Sequence, residues 1–151
     1  MPTFDPWNDA EKLGRQLAQT DSELLVVIGA EGWCEKCRRL RPAFEAMCHT
    51  SMPAHVAWFW LDLEDHHEFL GEFVPPDLPL LLRWRQGVCV QAAIVEGIDL
   101  GAPQAERVKL QSLVIQGTQV RDPHEGGLIE LPRLWTEFAT MSWASDPSGK
   151  L

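Results

Sequence analysis

A continuous apolar run, Leu24-Leu25-Val26-Val27-Ile28, leads through Gly29-Ala30-Glu31-Gly32 into Trp33-Cys34-Glu35-Lys36-Cys37. This join constrains the chain more than any other stretch. An apolar run with β-branched members, bounded by turn signals, predicts a strand buried on both faces. Beyond the loop, Cys37, Leu40, Phe44, Met47 and Cys48 recur at mostly three- and four-residue spacing. That pattern predicts a helix from about Cys34 to Thr50 with one apolar face. Cysteines with two residues between them at its start lie within one turn and can close a disulfide. The first would meet the exposed N–H groups and positive end of the helix, which favour a thiolate. A reversible dithiol couple and half of a metal site both fit such a pair. A structural zinc site usually takes four protein ligands. No second Cys-x-x-Cys exists, and the adjacent His66 and His67 would point in different directions on a helix. The redox reading is therefore preferred, and no metal is expected.

The rest of the chain supplies a scaffold. Trp7, Ala10, Leu13 and Leu17 predict an amphipathic helix from about residue 7 to 20, ended by Thr20-Asp21-Ser22. Pro42 falls inside the second helix and should kink it. Val56 to Leu61 predicts another buried strand, ending at Asp62. Glu64-Asp65-His66-His67 would start a short helix with Phe69, Leu70 and Phe73 inward. A proline-bearing loop, Val74 to Pro79, precedes a hairpin: Leu80 to Arg85, a turn at Gln86-Gly87, and Val88 to Val95, closed by Gly97. Residues 101–127 are poorly patterned. Val108, Leu110, Leu113, Val114 and Ile115 suggest a strand or short helix, and 122–127 reads as loop. Leu131, Leu134, Trp135, Phe138 and Met141 predict a last helix, with Pro132 in its first turn. This α-β-α-β-α-β-β-(insert)-α order predicts one domain over residues 1–151, an α/β/α sandwich in three layers. Its core would span about 7–100 and 130–144, with an insertion over about 101–130.

Over roughly residues 22 to 100 the chain resembles the thioredoxin family. Trp33-Cys34-x-x-Cys37 after the first buried strand is the main match. Pro42, five residues after Cys37, matches the family's helix proline. The strand ending in Asp62 resembles its central strand, Leu78-Pro79 its apolar residue followed by a cis-proline, and Gly87 its hairpin glycine. The resemblance implies a thioredoxin-like sandwich with a mixed central sheet and a C-terminal insertion before the last helix. It implies catalysis by Cys34, the attacking thiolate, and Cys37, which resolves the mixed disulfide. Trp33, Leu78 and Pro79 would form the substrate-docking surface, the Leu78 backbone pairing with a substrate chain. Glu35 and Lys36 would tune the couple, where the family usually has Gly-Pro. The family often also has a buried Asp before the motif and a Lys in the central strand, which assist proton transfer. Here those places hold Val27 or Ile28, and Trp58. A couple that exchanges more slowly than a dedicated reductase is expected.

The expected function is thiol–disulfide exchange with a protein disulfide or dithiol, with no cofactor. The alternative is a redox-inactive thioredoxin-like binding or chaperone-like module. With 13 basic and 22 acidic residues the net charge is −9, which argues against nucleic acid and anionic membrane surfaces as main partners. No apolar run reaches the ~18 residues of a membrane span. The acidic, proline-bearing start lacks a signal-peptide pattern, so the cytoplasm is the expected compartment. Cys48 and Cys89 are read as buried apolar fillers. Arg38, Arg39 and Arg41 are read as a solvated helix face, which borders the Cys34 end and could greet an acidic partner. No Gly-x-Ser-x-Gly, His-Glu-x-x-His, Walker loop or Gly-x-Gly-x-x-Gly competes with the cysteine pair.

Overall fold

The computed structural model describes residues 9–49, 55–70, 73–103, 106–117, 119–121 and 128–140. Two strands at its centre are apolar on both sides. In β1 (Glu23–Gly29), Leu24, Val26 and Ile28 enter one core cluster, whereas Leu25 and Val27 enter the other. In β2 (Val56–Asp62), Ala57, Phe59 and Leu61 face the first cluster and Val56, Trp58 and Trp60 the second. The two strands pair in parallel, joined through α2 (Glu35–His49). Strand β3 (Leu80–Arg85) runs antiparallel to β1, and β4 (Val88–Ile98) returns beside it. Their turn is set by Gln86 and Gly87, with φ of 49° and 83°. Two left-handed residues make the primed turn whose twist suits a hairpin.

Helix α2 covers one face of the sheet with Cys37, Leu40, Phe44, Met47 and Cys48. The other face is covered by α1 (Ala10–Leu17), α3 (His67–Leu70) and α4 (Leu134–Thr140), through Leu13, Leu17, Phe69, Leu70, Leu134 and Phe138. Phe138 stacks on Phe59 with ring centroids 4.8 Å apart. The result is a three-layer α/β/α arrangement around a five-stranded mixed sheet, ordered β2-β1-β3-β4-β5, consistent with a thioredoxin-like fold. Pro42 lies inside α2.

Within 101–130, expected as an insertion, the described residues form four strands. Strand β5 (Val108–Ser112) pairs with β4 and extends the main sheet. Strands β6 (Val114–Gln116), β7 (Gln119–Arg121) and β8 (Leu128–Glu130) form a second, antiparallel sheet. Its register places Ile115, Val120 and Ile129 side by side, and all three pack on the α1/α4 core.

Several boundaries differ from the sequence expectation. Strand β4 runs on to Ile98, so Gly97 lies inside it, at a register shift against β5. Residues 63–65 form a turn, because the Asp62 carboxylate accepts the N–H groups of Glu64 and Asp65; α3 starts only at His67. Helix α4 starts at Leu134, so Pro132 precedes it, and Leu131 is buried in the core ahead of the helix. Helix α1 ends at Leu17; Ser22 Oγ then donates to the Gln16 carbonyl and closes the connection to β1. Trp7 and Met141 lie outside the described residues. Among the described residues no helix is long and apolar enough to cross a membrane.

Candidate functional site

The loop from β1 into α2 is held at both ends. The Gly29 carbonyl accepts the Leu63 N–H at 2.9 Å, and the Ala30 carbonyl accepts the Cys34 N–H at 2.8 Å. Between them, the Glu31 N–H donates to Asp62 Oδ2 at 2.9 Å. Asp62 is buried at the end of β2, so its carboxylate ties the loop on one side to the turn at Glu64 and Asp65 on the other. Glu31 is gripped again from α2. Arg38 donates to its carbonyl at 2.7 Å, and Arg41 pairs with its carboxylate at 3.1 Å. Arg38 and Arg41 are thus fastened to the loop from the expected solvated face, on which Arg38 and Arg39 are exposed and Arg41 is half-buried.

This anchoring delivers Cys34 to the residue just before α2. Its Sγ accepts the Cys37 N–H at 3.2 Å, the place where a capping side chain normally satisfies the third helical N–H. Cys34 and Cys37, three residues apart, are paired as a disulfide with Cα atoms 5.2 Å apart. Their surroundings are unequal. Cys34 is half-buried beside Trp33, which is 63% exposed, whereas Cys37 is 0% exposed. A thiolate at Cys34 would meet the helix N-terminal N–H groups and remain reachable from solvent.

Leu78 and Pro79 join the site from the loop ahead of β3. Leu78 is buried in the same cluster as Cys37, against which Cys34 also packs. The Leu78–Pro79 peptide bond is cis. The Leu78 N–H donates to Asp77 Oδ1 at 2.8 Å, and the Pro79 carbonyl accepts the Val95 N–H at 2.9 Å. Of the two residues between the cysteines, Glu35 is exposed, and Lys36 reaches β4 to pair with Glu96 at 3.3 Å.

Behind Cys37 the surroundings are apolar. Val27 and Trp58 share its cluster, whereas Ile28 faces the opposite core. Cys48 and Cys89 are buried and unpaired; burial pushes their thiols up to about 12 and about 11. Among the described residues no group of three or more His, Cys, Asp or Glu side chains is placed to hold a metal. Sequence reasoning places Arg38 and Arg41 beside the Cys34 end but misses their hold on Glu31 and misses Glu96, and it marks Asp62 only as a strand end. A carboxylate closing an apolar strand is the one signal that could have flagged it.

No family model matches the chain, and no curated protein matches it in sequence. Among solved structures it is similar to the thioredoxin Mala s 13 of Malassezia sympodialis. That likeness is 19% in sequence, covers 53% of this chain and 69% of that chain, and has a TM-score of 0.44. At this distance it says nothing about activity.

Proposed function

We propose that this protein is a thiol–disulfide oxidoreductase that exchanges disulfides with a protein partner. The observation that carries the reading is the unequal exposure of two paired sulfurs within one helical turn: Cys34 half-buried at the helix start, Cys37 fully buried behind it. In the reduced protein the Cys34 thiolate attacks a partner disulfide. One partner sulfur leaves as a thiolate, and a mixed disulfide forms. Cys37, once deprotonated, attacks Cys34 Sγ and releases the second partner thiolate. The protein loses two electrons and the partner gains two. The reverse sequence oxidises a partner dithiol. Trp33 offers apolar contact area, and Leu78-Pro79 offers a backbone edge for an extended substrate segment. No bound cofactor is required, and nucleic acid and membrane surfaces are not partners. The proposed setting is the reducing cytoplasm, in keeping with Cys48 and Cys89 being unpaired.

Val27 and Trp58, which stand where the family often has its proton-transfer Asp and Lys, share the apolar cluster of Cys37 and favour slow resolution. The same observation supports a second reading, a redox-inactive binding module. A Cys37→Ser variant separates the two. Covalent partners trapped through Cys34 and released by reductant support the oxidoreductase. Partners retained equally by a Cys34→Ser/Cys37→Ser variant would instead make it a binding module.

A further inference from the structure

Lys36 lies between the two cysteines, and its charge is answered from a distant strand. Glu96 occupies β4 where the pairing with β5 slips: Val95 pairs with Leu110 and Gly97 with Lys109, so Glu96 is left without an opposite residue. In a regular strand, side chains alternate between faces. Ile94 enters the α1/α4 core and Val95 the α2 core, which would send Glu96 toward α1 and α4. The extra residue breaks that alternation. Ile98 packs on the α2 side, as does Val95 three residues earlier, and Glu96 reaches Lys36 on α2 at 3.3 Å. Bulges often re-aim one side chain in this way. The neighbouring Val95 N–H holds the Pro79 carbonyl. Adjacent residues of β4 therefore brace both the loop and the helix start of the site.

We infer that Glu96 is a positioning residue that draws the Lys36 ammonium toward β4 and so limits how far it stabilises a thiolate at Cys34. The inference rests on the redox reading of the cysteine pair. The two side chains are 26% and 45% exposed, so the pair contributes little to stability, and its effect falls on the local charge. The other charged groups around the motif are already engaged or point outward. Glu31 pairs with Arg41, and Arg38 donates to the Glu31 carbonyl. Glu64 lies against Gly32, Asp77 holds the Leu78 N–H, and Glu35 is exposed. With Glu96 neutralised, Lys36 is free to approach the sulfur two residues before it.

The test is the rate of iodoacetamide alkylation of Cys34 in chemically reduced protein, followed from pH 5 to 9 in four proteins: unmodified, Glu96→Gln, Lys36→Met and the double variant. Glu96→Gln should move the pH–rate profile toward acid and raise the rate on its rising limb by roughly threefold to tenfold, the scale of one charge brought to about 8 Å in a half-exposed setting. Made on top of Lys36→Met, the same change should have a clearly smaller effect. An unchanged or slower rate overturns the inference. Equal factors with and without Lys36 also overturn it, since Glu96 would then act by its own charge alone. Alkylation needs no partner protein, so failure to trap a partner would indict the oxidoreductase reading and leave this result standing by itself.

Discussion

Gly29 closes β1 beneath the site, and replacing it with alanine tests how tightly that region is packed. Its backbone is not left-handed, so the glycine is required for room. An added Cβ would lie 2.6 Å from Trp60 Cζ2, 3.0 Å from Cε2 and 3.2 Å from Nε1. Carbon atoms are best separated by about 3.5–4.0 Å, so the indole would have to retreat by about 1 Å. It has little freedom to do so. Trp60 is 4% exposed, with the Phe44 ring at 5.5 Å and the Arg41 guanidinium 5.8 Å from its centroid. Overpacking of this kind costs about 1–3 kcal/mol, and a flat ring buried among such neighbours belongs near the top of that range. Trp60→Phe should cost less, about 1–2 kcal/mol. The volume it removes is partly offset by removing the Nε1–H, a buried donor with no hydrogen-bond partner among the described residues. The smaller ring also vacates the edge that meets the new methyl group. The double variant should therefore be about as stable as Trp60→Phe alone, so that the coupling equals the Gly29→Ala cost, about 2.5–3 kcal/mol. Urea unfolding of the four proteins at one pH measures this. Additivity within about 0.5 kcal/mol, or a Gly29→Ala cost below that, would refute the packing argument.

Two more outcomes follow from the site. Asp62→Asn keeps one accepting oxygen but cannot hold Glu31 on one side and Glu64 with Asp65 on the other; stability should fall by about 1.5–3 kcal/mol, with faster amide exchange at Glu31. Urea melts and exchange rates check it, and an unchanged Glu31 rate would sink the anchoring role. Because burial holds the Cys48 and Cys89 thiols at about 12 and about 11, iodoacetamide at pH 8 should label Cys34 of the reduced protein while these two wait for unfolding. Peptide mass spectrometry that finds either labelled as fast as Cys34 contradicts the placement.

The layers of this fold are legible in the sequence wherever one segment carries its own pattern. Leu24 to Ile28 and Val56 to Leu61 read as two-faced strands because both of their faces are apolar, and both are buried. Gln86-Gly87 declares its turn through local conformational preference. Strands β6 to β8 are three residues each and half-exposed, too short for a period to emerge. They are specified by the cross-strand row of Ile115, Val120 and Ile129, which no window along the chain contains. The site divides the same way. Trp33, Cys34 and Cys37 are nearly contiguous and visible in the sequence. Glu96 is 60 residues from Lys36 and is aimed by a register slip, and Asp62 is 31 residues from Glu31. Such pairings exist only once the sheet has formed.

The closeness of the two cysteines also decides what the bond means for chain entropy. A link between residues three apart closes a loop of about four residues, which restrains the unfolded chain by roughly 2 kcal/mol, against about 3 for a loop of 15. The two apolar clusters flanking the sheet, from Leu13 to Phe138 on one side and from Leu25 to Val95 on the other, are assembled by other contacts. Opening the bond therefore leaves the fold with most of its stability. On the proposed redox reading, the protein keeps its fold in both the oxidised and the reduced state.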